Sequence, residues 1–104
     1  MLFEMRTYIL KPGVLATYVR HFEEVGLPIV GRYCRLVGYW IAESGRLNRV
    51  IHVWAFENAE ARRLARERWM ADPEWAQSFL PVALPMVVEQ ESVLMSAAPF
   101  SPIR

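Results

Sequence analysis

Residues 35–56, RLVGYWIAESGRLNRVIHVWAF, decide the fold, because they hold two strand-forming segments joined by a short polar connection. The segments RLVGYWIAE and RVIHVWAF are rich in β-branched and aromatic residues, which favour strands. The connection ESGRLN carries the Gly and Asn that are typical of turns. The stretch therefore predicts an antiparallel hairpin in the middle of the chain.

The segment before this hairpin predicts a strand followed by a helix. Residues 2–10, LFEMRTYIL, alternate between two faces as a strand does, and Lys11-Pro12-Gly13 ends it. From Val14 the apolar residues recur at helical spacing, and Gly26 is expected to close that helix. Pro28 then starts a second helical segment, which reaches about residue 34.

The segment after the hairpin repeats the pattern of a helix and a strand. Asn58 is a natural N-cap for the charged helix at 59–71, and Asp72-Pro73 restarts a helix. MVVEQESVLM, residues 86–95, predicts the last strand. The order β-α-β-β-α-β is that of the ferredoxin-like α+β fold, a four-stranded antiparallel sheet with both helices on one face. We expect residues 1–104 to form a single domain of this class.

The composition excludes several classes of protein. Twelve Lys and Arg against eleven Asp and Glu give a net charge of +1, which argues against a nucleic-acid partner. The lone Cys34 excludes an internal disulfide, and His and Cys do not stand at metal-ligand spacing, so neither a metal nor a cofactor is expected. Glu4 and Arg6 interrupt the apolar N-terminus, which argues against a signal peptide, and no apolar run approaches the roughly 20 residues of a membrane helix. We expect a cytoplasmic protein without a membrane partner.

The alternation of residues 2–10 assigns side chains to two faces of the predicted sheet. The less polar set, Phe3, Met5, Thr7 and Ile9, suits the face that the helices cover. Ile51 and Val53 of the third strand are expected to join that set. The open face then carries the mixed aromatic and ionisable set, which is Glu4, Arg6, Tyr8, His52 and Trp54.

An open face of this composition is too apolar to be left in water. Hydrophobic residues make up 54% of the chain and include four Trp, which is rich for 104 residues. A second copy packed against the face would make a barrel whose lumen, the space between the two sheets, holds the ionisable groups. We therefore expect a homodimer, with pairing of dimers into a tetramer as an open alternative.

His52 is the candidate catalytic residue, because an ordinary histidine pKa near 6.5 suits a general base at neutral pH. Two alternative roles of His52 are open: it could be a packed histidine with no catalytic role, or it could be a metal or haem ligand. Glu4 and Arg6 are ligand-binding candidates, and Arg6 is the natural holder of an anionic ligand group; the alternative is that the two only form an ion pair with each other.

The remaining ligand-binding candidates are aromatic. Tyr8 and Trp54 share the predicted face with His52, and otherwise serve as packing. Tyr39 would lie opposite His52 if Gly45-Arg46 is a two-residue hairpin loop, whereas a three-residue loop would place Trp40 there. The sequence leaves both registers open.

Six separated motifs also carry a resemblance to a known family. They are MRTYILKPGVL, LPIV, LVGYW, GRLNRVIHVWAF, ADPEW and APFSP. In this order, and across essentially the whole chain, they resemble the NIPSNAP family, with small departures at Arg46 and Arg49. The resemblance implies the dimeric α+β barrel fold and its dimer.

The resemblance implies no single reaction, because wider relatives of that superfamily include cofactor-free monooxygenases, isomerases or dehydratases, and haem enzymes. Two functions stay open. The first is the binding of a small organic molecule in the dimer barrel lumen, with monooxygenase- or isomerase-like chemistry as its enzymatic form. The second is a non-catalytic assembly or adaptor domain. An open pocket beside His52 and Arg6 favours the first, and a lumen filled by aromatic side chains favours the second.

Overall fold

Four antiparallel strands form one sheet in the order β2-β3-β1-β4, which confirms the predicted ferredoxin-like topology. The computed structural model describes all residues, 1–104. The strands are β1 (Leu2–Leu10), β2 (Arg35–Ile41), β3 (Arg49–Phe56) and β4 (Val87–Ser96). Because β1 and β3 are the two central strands, their side chains are the ones best placed to line a site.

The helices lie in the two connections that the sequence predicted. They are α1 (Leu15–His21), α2 (Leu27–Val30), α3 (Ala59–Met70) and α4 (Leu80–Ala83). A π-helical turn, Phe22–Gly26, joins α1 to α2, and a second π-helical turn, Trp75–Phe79, precedes α4; the 3₁₀ turn Leu84–Met86 follows it. Asn58 caps α3 as predicted, since its Oδ1 accepts a 2.8 Å hydrogen bond from the Ala61 N–H. None of the helices combines the length and the apolar character needed to span a bilayer.

The first π turn stands where the sequence predicted a helix end at Gly26 and a restart at Pro28, and the second lies within the helical segment that was predicted to start at Asp72-Pro73. In each, an N–H reaches the carbonyl five residues back, from Leu27 to Phe22 and from Leu80 to Trp75. A proline follows one residue later in both places, and a proline ring clashes with the carbonyl four residues before it in an α-helix. The wider π turn relieves this clash, so the helix bends and continues.

Gly26 has a different role from the predicted helix cap. Its φ is −67°, an ordinary helical value, and the chain continues through it. A Cβ at this position would lie 2.6 Å from the Phe79 ring, which belongs to the other π turn. Gly26 therefore allows the two π turns to approach each other closely.

The hairpin adopts the register in which Tyr39 lies opposite His52. The connection is longer than two residues, because Ile41 pairs with Val50 and the Ala42 N–H bonds to the Arg49 carbonyl, leaving 43–48 as the loop. The loop 43–48 is centred on Gly45-Arg46, as the two-residue loop would have been. The strands therefore keep the register in which Tyr39 lies opposite His52.

The prediction of which face the helices cover is wrong. Tyr8, His52 and Trp54 are buried beneath the helices, where Phe22 of the first π turn contacts both His52 and Trp54. Ile51 and Val53 lie on the opposite, open face and are only half-buried. The lumen expected from the sequence therefore does not hold the candidate residues. They line a space inside each chain, between the sheet and the helices.

The inversion has a physical cause in how the charges are paired. Glu4 forms ion pairs with Arg6 on its own strand and with Arg62 on α3, so the helix layer itself supplies a counter-charge. A buried ion pair is tolerated when its partners are hydrogen-bonded. The same face also carries the largest side chains of the central strands, including Tyr8 and Trp54, which gain most from burial.

The open face of the isolated chain is mainly apolar, and its charged residues, Arg49, Glu89 and Glu91, lie toward the Thr7–Ile9 end of β1. It carries Phe3, Met5, Val37, Trp40, Ile51, Val53, Val93 and Met95. The Trp40 indole lies over Gly38, where any Cβ would collide with it. The C-terminal tail borders this face through Ser101 and Ile103.

Candidate functional site

A cavity of about 60 Å³ lies between the sheet and the helices, centred on the residues that the sequence singled out. Glu4, Arg6 and Tyr8 of β1 and His52 and Trp54 of β3 form its floor. The helical side of the wall is mostly aromatic and consists of Tyr18, Phe22, Trp69, Trp75 and Phe79. At one side Leu84 is 54% exposed and Gln90 is exposed, so the cavity meets solvent there.

His52 is fixed in one tautomer by its neighbour on β3. The Trp54 Nε1–H donates a 2.7 Å hydrogen bond to His52 Nδ1, and both side chains are buried. Because an indole nitrogen can only donate, Nδ1 must be the unprotonated nitrogen of the neutral ring. The proton of the ring is therefore on Nε2, which has no hydrogen-bond partner in the protein.

His52 stays neutral at physiological pH. Burial and the nearby Arg6 charge lower its pKa to about 3, and Glu4 opposes this only in part. With Nδ1 occupied by Trp54 and Nε2 carrying the proton, no ring nitrogen is free to accept a proton. The geometry favours a hydrogen-bond donor, whereas the predicted general base would require the bond from Trp54 to break.

Aromatic packing holds the His52 ring in place. Tyr39 stacks on it at 4.7 Å between ring centroids with an interplanar angle of 5°. Tyr8 meets it edge-on at 4.8 Å and 87°. Tyr39 thus supports the histidine from β2 and does not itself line the cavity.

Glu4 is the centre of a buried charge cluster. Its carboxylate accepts hydrogen bonds from Arg6 Nη1 at 3.0 Å, Arg62 Nε at 2.9 Å and Ser92 Oγ at 2.6 Å. Burial alone would raise the pKa of Glu4, but these partners outweigh it and lower the pKa to about 2. The carboxylate is ionised and fully occupied, so it is not a free base.

Tyr8 connects this cluster to the cavity. Its hydroxyl oxygen accepts a 2.8 Å hydrogen bond from Arg6 Nε, and no acceptor in the protein takes the hydroxyl proton. Burial raises the pKa of Tyr8 although Arg6 opposes the shift, so the phenol keeps its proton. Tyr8 is therefore a second donor beside His52.

The sequence identified the floor of the site and missed most of its walls. Five of the six predicted residues line the cavity, and Tyr39 supports it from behind. The residues that were missed are Arg62, Ser92, Phe22, Trp69, Trp75 and Phe79. The signal for the aromatic walls was the pair of similar segments GLPIV and FLPVA, since π turns of this kind are frequent at functional sites.

No group of three or more His, Cys, Asp or Glu side chains is arranged as a metal site. The cavity contains one histidine, one paired carboxylate and the Cys34 thiol, which are too few ligands for a tetrahedral site.

Comparison with known proteins agrees with this fold and assigns the family. The NIPSNAP family profile matches residues 3–102. The chain belongs to the NIPSNAP family. A NIPSNAP domain protein of Burkholderia xenovorans, solved by crystallography, is 41% identical with a TM-score of 0.94, over 98% of this chain and 99% of that one.

Other relatives of this NIPSNAP chain are longer or more distant. The human protein NipSnap homolog 3A is 33% identical over 99 residues, which are 94% of this chain and 40% of that protein. The chain thus spans about two-fifths of the length of that relative. A crystal structure of an antibiotic biosynthesis monooxygenase has a TM-score of 0.69 at 16% identity, over 95% of this chain and 100% of that one, which shows a shared fold alone.

Proposed function

We propose that this NIPSNAP chain binds a small organic molecule in the cavity between its sheet and its helices. The observation that carries the proposal is the His52 Nε2–H, a buried donor with no partner in the protein, beside open space. An unsatisfied buried donor costs about 1–3 kcal/mol, so a ligand acceptor placed there would recover that cost.

The size of the cavity limits the ligand. A volume of about 60 Å³ holds a few water molecules, since one water needs roughly 10–15 Å³ of the same kind of space. Pockets for drug-sized ligands are several times larger. The buried part of the ligand is therefore compact, and any longer part would extend past Leu84 and Gln90 toward solvent.

If the cavity is an active site, its catalytic groups would act as hydrogen-bond donors. Tyr8 and His52 could stabilise a negative charge that develops on a ligand oxygen, as in an oxyanion hole. Such donors would suit a monooxygenase- or isomerase-like reaction that passes through an enolate-type oxygen. The base would have to come from the substrate, from solvent or from outside the cavity, because Glu4 and His52 are occupied.

Two variants of His52 test ligand binding. His52→Phe keeps the ring that stacks on Tyr39 but removes both nitrogens. His52→Asn can keep an acceptor for Trp54 through its Oδ1 and removes the ring nitrogen Nε2 that faces the cavity. We expect both variants to lose at least tenfold in affinity, while His52→Asn keeps more of its stability.

The measurement is an NMR screen of small ketones, carboxylates, phenols and amides that follows the indole N–H signals of Trp54 and Trp69. Leu64→Ala, on the exposed side of α3, serves as the control and should bind like the unmodified chain. A screen in which no compound shifts the two indole signals, or in which the His52 variants bind equally well, contradicts the proposal.

The open face supports a second proposal, that two copies of the chain form a homodimer. Apart from Phe3, which is already buried, its aliphatic and aromatic side chains are exposed or half-buried in the isolated chain, and each gains up to roughly 3 kcal/mol on full burial. Such a dimer would serve assembly, the alternative function, and leave each cavity intact within its own chain. Pairing of dimers into a tetramer remains a further expectation.

Light scattering at micromolar concentration tests the dimer. We expect a particle of twice the 12.1 kDa chain mass. Trp40→Arg on the open face should shift the population to monomers, because it buries a charge in the interface, whereas Leu64→Arg on α3 should not. A 12.1 kDa particle for the unmodified chain would refute the dimer.

Cys34 lines the cavity but offers no reactive thiol. Burial raises the pKa of Cys34 to about 11, so the sulfur stays protonated at neutral pH. A reducing compartment would keep this free thiol unmodified, and we propose the cytoplasm as the location on that ground.

A further inference from the structure

The buried nitrogens of the cavity that lack a hydrogen-bond partner are both donors. His52 Nε2 and Trp69 Nε1 are buried nitrogens with no partner in the protein, and each carries a proton to donate. The Tyr8 hydroxyl has accepted a bond from Arg6 and keeps its own proton free. The oxygens of Glu4, by contrast, are filled by three donor side chains. A ligand that fits this lining is rich in acceptors.

The net charge next to the cavity is positive, and it therefore attracts the same kind of ligand group as the hydrogen-bond donors do. Arg6 and Arg62 share the single carboxylate of Glu4, which leaves a net charge of +1. The side chains are only 15%, 23% and 3% exposed for Arg6, Arg62 and Glu4 respectively, so water screens this charge incompletely. A net charge held away from water favours the entry of an opposite charge.

We propose that the cavity selects the deprotonated form of its ligand, a compact organic oxyanion such as a phenolate, enolate or carboxylate, held by Tyr8 O–H and His52 Nε2–H. Arg6 acts as a positioning residue, because its Nε–H points at the Tyr8 oxygen and its Nη1 is tied to Glu4. The positive charge of Arg6 therefore acts on the ligand indirectly, by polarising the Tyr8 hydroxyl group that donates to the ligand. This inference rests on the proposed function of the same cavity.

Several titratable or charged groups surround the Tyr8–His52 pair. They are Glu4 and Arg6 on β1, Tyr18 on α1, Tyr39 on β2, and Arg62 and Arg66 on α3. Three of them are guanidinium groups, one is the paired carboxylate, and burial raises the pKa of both tyrosines. Glu4, whose pKa is lowered to about 2, and the two tyrosines, whose pKa values are raised, do not change their charge between pH 6 and 8. His21 on α1 also lies near the cavity, because its ring stacks on Phe79 of the wall. A change in affinity that follows the ionisation of the free probe therefore reports the ligand.

The test uses 4-nitrophenol, because its phenolate absorbs visible light and its phenol does not. We expect the bound probe to ionise at a pH at least one unit below that of the free probe, which is a tenfold preference for the anion. Equal affinity for the two forms, or a preference for the phenol, overturns the inference but leaves ligand binding itself intact. Absence of binding at every pH overturns the inference as well.

Single-residue variants distinguish the effect of the two hydrogen-bond donors on anion selectivity from the effect of the overall charge of the protein. Tyr8→Phe keeps the aromatic ring and should abolish most of the preference for the anion while the neutral phenol still binds. Arg6→Gln should weaken the preference without changing the affinity for the phenol. Tyr33→Phe, whose hydroxyl bonds to Asp72 outside the cavity, is the matched control and should behave like the unmodified chain. Preserved selection in Tyr8→Phe contradicts the proposal.

Discussion

Replacement of Glu4 by Gln should lower the free energy of unfolding by about 3 kcal/mol or more. The amide keeps the shape of the side chain but removes the negative charge that Arg6, Arg62 and Ser92 all contact. The two guanidinium groups would then face each other in a largely buried space with no counter-ion. Urea unfolding followed by tryptophan fluorescence measures the loss.

Glu89→Gln provides the matched control for this loss. Glu89 pairs with Arg46 in similar hydrogen-bond geometry, but both side chains are 58% exposed. Solvent-exposed ion pairs contribute little, so this variant should unfold at the same urea concentration as the unmodified chain. Equal effects of the two substitutions would show that the Glu4 cluster is not buried as described.

Mild acid should destabilise the fold well before ordinary carboxylates titrate. His52 has an ordinary pKa of 6.5 when unfolded and about 3 when folded, so between these values only the unfolded chain binds the proton. Falling pH therefore favours unfolding, by about 1.4 kcal/mol for each pH unit below 6.5. Glu4 adds a second loss between its unfolded value of 4.5 and about 2. The effect is measured by urea unfolding at a series of pH values.

His52→Asn separates the two contributions to acid sensitivity. The variant lacks the imidazole, so its stability should be nearly flat between pH 6.5 and 5, and should fall only at lower pH. An unmodified chain whose stability does not change between pH 6.5 and 5 would show that His52 is accessible and titrates normally in the folded state.

The sequence was sufficient for the topology because local signals marked each element. The Asn58 cap, the alternation of β1 and the proline-marked turns each act within a few residues. The pairing of Tyr39 with His52 depended on loop length, and turn residues alone left two registers possible.

Local sequence signals could not show which face of the sheet the helices cover, and so could not show on which side of the sheet the candidate residues lie. Alternation shows that β1 has two faces, but which face the helices cover depends on partners far along the chain. Glu4 is buried because Arg62, 58 residues later, brings a counter-charge from α3. The lone pair of His52 is occupied because the Trp54 rotamer directs its N–H back at Nδ1, which no spacing rule predicts. The candidate residues were recognised, whereas their roles required the tertiary structure.

His52 presents the Nε2 proton to the cavity from a ring that the Trp54 hydrogen bond holds in one tautomer. Nitrogen-detected NMR of the imidazole, recorded from pH 8 down to pH 5, tests this arrangement most directly. We predict one neutral tautomer with the proton on Nε2, unchanged over this range, and an Nε2–H signal that shifts when a ligand binds. A ring protonated on Nδ1, or one that titrates near pH 6.5, would contradict the account.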